Sequence, residues 1–220
     1  PKPSSAASDV YKRQGKDGES IWIAQAEGRA KDGDDRTDSA ILKMFHMSRK
    51  DEPFADVIAS LKLTPVSISY EYDPCDQAKA RELYTRATTG SYTKQPGEDD
   101  KSIGLGITGY KGRVHVHFGD PITSGFEDAK QLAALTDAQI LTGYRLFPVH
   151  YLAYAMWSER DPQLDVPAAE SLFDAAELAA ATEQWQQRLG RCPSEQQPYL
   201  ILQYAMPVRN QYRIKAGVPL

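Results

Sequence analysis

Arg113-Val114-His115-Val116-His117-Phe118 alternates side chains of two kinds, and Gly119-Asp120-Pro121 ends the run. A period of two over six residues predicts a strand, with Val114, Val116 and Phe118 on one face and His115 and His117 on the other. The valine face is expected to be buried, leaving the histidines toward solvent or a helix. Upstream, Leu63-Thr64-Pro65-Val66-Ser67-Ile68-Ser69-Tyr70 alternates as well, although Pro65 limits its ladder bonding. Ser20-Ile21-Trp22-Ile23-Ala24-Gln25 is a short apolar run that reads as a further, buried strand.

Helical signals separate these runs. Thr37 or Asp38 is a plausible N-cap for a helix through Ile41, Leu42, Met44 and Phe45. Pro53 opens a short helix carrying Phe54, Val57, Ile58 and Leu61. Asp73-Pro74 starts another that ends near Gly90. Residues 91–101 read as polar loop, and Ile103 to Gly112 as a glycine-studded connector. Beyond Gly125 the pattern is helical over 127–142, 147–158, 167–189 and 197–206. Strands alternating with modest helices predict an α/β domain with a mixed or partly parallel sheet. Residues 15–124 form that domain in this reading, and residues 125–220 a helical extension. Neither an internal repeat nor a sustained heptad is present.

Composition narrows the function classes. The 220 residues are 41% hydrophobic and 25% charged, an ordinary globular mix with a core of useful size. A net charge of −4 argues against a generally basic nucleic-acid binder. Cys75 and Cys192 are too few for a disulfide framework or a Cys-rich metal site. No run reaches the ~18 apolar residues of a bilayer span.

The chain opens with Pro1, so its natural start is expected to lie elsewhere. Asp9-Val10-Tyr11-Lys12-Arg13-Gln14 can be encoded by GAT GTG TAT AAG AGA CAG, which looks like a transposon-end adapter read in frame. Residues 1–14 are therefore expected to lie outside the fold, and coding sequence upstream of Gly15 is expected to be missing.

The segment best suited to chemistry is Glu27-Gly28-Arg29-Ala30-Lys31-Asp32-Gly33, directly after the first apolar run. Gly28 lets a ligand approach the backbone closely. Arg29 offers a planar fork to a phosphate, with Lys31 as a point charge beside it. Glu27 suits orienting the arginine or a substrate hydroxyl. A solvated charged turn is the plain alternative, because Asp32, Asp34 and Asp35 dilute the positive field.

Ile21 through Thr37 resembles the third conserved block of the glycerolipid acyltransferase superfamily, which reads as an apolar strand followed by Phe-Pro-Glu-Gly-Thr-Arg-Ser. Glu27 and Gly28 match that block, whereas Ala26 replaces its proline and Arg29 follows Gly28 without the usual threonine. Leu63-Thr64-Pro65-Val66-Ser67 resembles the fourth block, which places Pro65 and Val66 at the acyl or glycerol pocket. Val114 through Ile122 resembles the late strand and turn ending Phe-Gly-x-Pro-Ile. The match covers roughly residues 19–124.

The resemblance implies transfer of a fatty acyl group from acyl-CoA or acyl-carrier protein to a phosphate-bearing glycerolipid acceptor, in phospholipid synthesis. It implies peripheral contact with the cytoplasmic face of a bacterial inner membrane, with no cofactor and no metal. Glu27, Gly28, Arg29 and Lys31 would hold the acceptor's phosphate. The family's catalytic block is His-x₄-Asp, in which the histidine is general base and the aspartate orients it. It belongs upstream of the Glu-Gly block, so this chain alone is expected to turn nothing over. A non-catalytic module for anionic headgroups, using Arg29, Lys31 and Arg36, and an acyltransferase with a non-glycerolipid acceptor are the alternatives.

Two pairs share the His-x₄-Asp spacing, His46 with Asp51 and His115 with Asp120, but both lie downstream of the Glu-Gly block. His115 and His117 lack an obvious third metal ligand, and His150 sits among Pro148, Tyr151 and Tyr154 as a packed residue. The aromatic stretch Tyr144 to Trp157 fits either a core helix or a bilayer interface. Ala168 to Leu189 reads as a core helix.

Overall fold

The computed structural model describes residues 18–26, 30–218 and 220. The adapter-like residues 1–14 therefore lie outside the described residues. The protein is mixed α and β: eight α-helices among the described residues and one ribbon of two strands. The chain divides into two compact units interleaved along the sequence.

The first unit includes residues 35–67 and 117–143. Helix α1 (Ser39–His46) starts at Asp38, whose carboxylate accepts the Ala40 N–H at 2.8 Å, and carries Lys43 and His46 in its last turn. Helix α2 (Phe54–Leu61) follows Pro53 and stops at Lys62, which turns left-handed at φ 49°. Helix α1 packs against both α2 and α5 (Ala129–Gly143), and the three share a core of Leu42, Ile58, Ile122, Phe126 and Leu132. Gly119 lets the chain pass close to its neighbours: a Cβ at that position would stand 2.3 Å from Gln139 Oε1, which would have to swing away, and 3.2 Å from the Pro65 carbonyl.

The second unit includes residues 30–34, 68–116 and 144–220. Helices α3 (Asp76–Thr89), α6 (Pro148–Met156), α7 (Ala175–Arg191) and α8 (Gln197–Lys215) enclose its core. Tyr72, Val149, Ala153, Trp185, Leu200, Tyr204 and Val208 form the centre of that core. The aromatic stretch is thus a core helix, with Tyr151 and Tyr154 buried against α8 and the turns beside it. Gly90 closes α3 at φ 80°, as the glycine after a helix end should.

Strands β1 (Val66–Tyr70) and β2 (Val114–Phe118) pair antiparallel. The expected mixed or partly parallel sheet is therefore corrected: the crossover between these strands returns β2 against β1 in the opposite direction. Backbone bonds from Gly119 N–H to Pro65 O at 2.8 Å and from Glu71 N–H to Arg113 O at 2.9 Å set the register. Within the first unit Val66 faces Phe118, and within the second Ile68 faces Val116 and Tyr70 faces Val114.

Three further expectations are overturned. Val114, Val116 and Phe118 are 50%, 47% and 69% exposed, so the valine side of β2 is the open one, while Ser67 and Ser69 opposite are buried. On the serine face the Arg145 N–H bonds Ser69 Oγ at 2.9 Å, while Ser67 Oγ is buried without a hydrogen-bond partner among the described residues. Ser20–Gln25 forms no strand: the Asp38 N–H bonds the Gln25 carbonyl at 2.8 Å without starting a ladder, and Trp22 is 66% exposed. Residues Glu98–Thr108, expected as loop and connector, form helix α4, with Glu98, Asp99 and Asp100 in its first turn stabilising the N-terminal end.

Candidate functional site

The expected ligand residues are distributed as follows. Glu27, Gly28 and Arg29 lie outside the described residues. Lys31 belongs to the second unit. Pro65 and Val66 belong to the first, with Pro65 buried at the entry to β1 and Val66 half-buried.

Residues 30–34 are held to the helices of the second unit from several directions. Lys79 Nζ donates to the Ala30 carbonyl at 3.2 Å and to Asp73 Oδ2 at 2.7 Å. Asn210, fully buried on α8, donates to Asp34 Oδ1 at 2.6 Å. Gly33, at φ 82°, lies so close to the Gln203 backbone that a Cβ would stand 2.4 Å from its carbonyl oxygen.

Lys31 itself meets α3. Its ammonium is bonded and ion-paired to Glu82 Oε1. The same oxygen accepts Arg86 Nε at 3.0 Å, and Arg86 Nη2 lies 2.8 Å from it as an ion pair, one turn further along α3. The Glu82 side chain is only 6% exposed, whereas Lys31 and Arg86 keep 32% and 55% of theirs. One carboxylate thus carries two cations, and the cluster keeps a surplus positive charge.

Two other charged clusters are structural in character. Asp76 Oδ2 accepts Arg188 Nη1 at 2.5 Å and the Tyr204 O–H at 2.7 Å, and the Arg188 guanidinium lies 4.5 Å over the Tyr72 ring. Burial pushes the Asp76 carboxyl above its ordinary range despite the Arg188 charge. Glu71 receives Arg113 Nε at 3.0 Å, Arg113 Nη2 at 2.8 Å and the Arg113 N–H at 2.9 Å. Burial works against the Glu71 anion, but these bonds outweigh it and hold the carboxyl below its ordinary value.

None of the four imidazoles is hydrogen-bonded to a carboxylate among the described residues. His46 Nε2 is paired with the Glu52 carbonyl at 2.7 Å. His150 Nδ1 accepts the Phe147 N–H at 2.9 Å in the core. Burial lowers the His150 pKa to about 4, against the pull of the Glu71 carboxylate. The unfolded chain takes up this proton near pH 6.5 and the folded protein only near 4. Stability contributed by neutral His150 is therefore full above pH 6.5 and is lost as pH falls toward 4, by about 3 kcal/mol. Urea unfolding across that window should show the loss, and His150→Gln should flatten it; an unchanged slope would contradict this origin.

The open groove beside α7, lined by Glu170, Phe173, Leu178, Thr182, Glu183 and Gln186 among others, carries two carboxylates and no cation. It is unsuited to an anion. The described residues likewise hold no group of three His, Cys, Asp or Glu side chains placed for a metal.

Sequence reasoning missed Glu82 and Arg86. An i,i+4 acid–base pair on a helix reads as an ordinary surface pair, and nothing in it announces a third partner 51 residues away. No family model, no curated protein and no solved structure matches the chain.

Proposed function

We propose that this chain is the acceptor-holding part of an acyltransferase that esterifies a phosphate-bearing lipid or its glycerol precursor. The observation that carries the reading is a pairing. The two later segments of the resemblance, Leu63–Ser67 and the end of Val114–Ile122, lie side by side, with Ile122 N–H on Leu63 O and Gly119 N–H on Pro65 O, each at 2.8 Å. They are far apart in sequence, so their juxtaposition is a property of the fold and not of either segment alone. The Glu27–Arg29 segment leads directly into residues 30–34, which the helices of the second unit hold firmly.

This reading makes residues 30–34 and the segment before them the anion holder, with no imidazole–carboxylate pair among the described residues to act as general base. In this reading the chain binds acceptor, and none of its described imidazoles is placed as the base that deprotonates the acceptor's hydroxyl. The lack of any imidazole–carboxylate pair among the described residues also favours a second reading, a non-catalytic module for anionic headgroups.

Transfer of radiolabelled acyl groups from acyl-CoA separates the two. A longer product of the same gene should acylate glycerol 3-phosphate or its 1-acyl derivative. In that product Arg29→Ala should weaken acceptor binding by about 1.5–3 kcal/mol, the range of a charge-assisted contact, and raise KM more than it lowers kcat. Binding of the acceptor with no transfer from any acyl donor would leave the headgroup module as the function.

A further inference from the structure

We propose that Lys31 and Arg86 are the paired cations of a phosphomonoester site, with the buried Glu82 carboxylate as the post that positions both. A buried carboxylate is neutralised by one cation. Glu82 takes two on a single oxygen, which leaves the cluster net positive within a chain of net charge −4. A structural ion pair has no use for that surplus, and an anion does.

The donors are also disposed for a ligand. The Lys31 ammonium has three N–H groups and spends one on Glu82; Arg86 donates Nε there, with Nη2 close by as an ion pair, and keeps Nη1 clear of it. Both side chains remain partly exposed, so the uncommitted donors reach solvent. The backbone under Lys31 is fixed beforehand by the Lys79, Asn210 and Gln203 contacts, so little ordering remains when a ligand arrives. A guanidinium edge and an ammonium together address three oxygens, the number a phosphomonoester presents. Arg86 is on α3, outside every segment of the acyltransferase resemblance that carries ligands. The proposal deepens the acyltransferase reading by naming the groups that face the acceptor's phosphate, and its test needs no acyl transfer.

The chain is titrated, with amide NMR shifts as the readout, with inorganic phosphate, with glycerol 3-phosphate, and with phosphatidylcholine vesicles with and without phosphatidate. Saturable binding is expected, weakened at least tenfold by Arg86→Ala and by Lys31→Ala and unaffected by Lys130→Ala on α5. Thermal melting checks that each variant is folded. Binding of the soluble phosphates assigns the site to the phosphate itself; binding of phosphatidate vesicles alone assigns it to a lipid headgroup, and either result supports the site. Binding to none of the probes, binding that Arg86→Ala and Lys31→Ala leave intact, or equal loss with Lys130→Ala overturns it. If phosphate binds through Arg86 while the longer product transfers no acyl group, the site stands and the enzyme reading falls. If the longer product transfers acyl groups and Arg86→Ala leaves that transfer unchanged, the enzyme reading stands and the site falls.

Discussion

Replacing Asp76 with alanine is expected to cost about 3–5 kcal/mol of stability, the range for removing one partner of a buried ion pair. Its side chain is 2% exposed and holds both the Arg188 guanidinium and the Tyr204 hydroxyl. Without it the largely buried Arg188, stacked on Tyr72, loses its carboxylate partner, and the Tyr204 hydroxyl loses its acceptor. A loss of that size is a large fraction of a domain's total stability. The raised Asp76 pKa shows that the carboxylate is itself poorly accommodated, which is the ordinary condition of a buried pair: its breakage is expensive although its net worth is small. The double replacement Asp76→Leu with Arg188→Met should therefore recover most of what Asp76→Ala loses. Urea unfolding measures both, and a loss below about 1 kcal/mol for the single variant would contradict the picture.

Trp185→Ala should be comparably damaging, at about 3–5 kcal/mol, because the site cannot collapse around the space left. The ring is 2% exposed, lies 5.0 Å from the Tyr204 ring in an edge-to-face arrangement, and donates its indole N–H to Met156 Sδ at 3.3 Å. It thus joins α6, α7 and α8. Loss of near-ultraviolet dichroism together with the fall in stability would show that these helices share one core. A cost under about 1.5 kcal/mol, the level of a tolerated apolar swap, would mean they do not. Since both side chains touch Tyr204, the two losses should fail to add in the double variant.

Local chemistry made most helices legible. Asp38 as a cap, Pro53 as a starter and Gly90 as a stop are signals that the chain carries beside those helix ends. Helix α4 was hidden by Gly104 and Gly106, which lower helix propensity inside it while nothing buries its apolar side chains. In β2 the two-residue period announced two faces, but periodicity does not say which face another element will cover. The open apolar face of Val114, Val116 and Phe118 is the result. Ser20–Gln25 shows the same limit differently: an apolar run needs a partner edge to become a strand, and composition names no partner.

The candidate site divided along similar lines. Lys31 stood out in sequence for its charge beside Arg29, and its anchorage did not, because Glu82 and Asn210 come from helices far along the chain. His150 was legible as a packed residue from its apolar neighbours, and its burial bears that out.

The decisive measurement is incorporation of a radiolabelled acyl chain into glycerol 3-phosphate or its 1-acyl derivative, run in parallel with residues 15–220 and with a longer product of the same gene. Incorporation by the longer product and none by residues 15–220 is the predicted result. Esterification by the short chain alone would contradict the division of roles, and the absence of product from the longer protein with every acyl donor tried would contradict the enzyme itself.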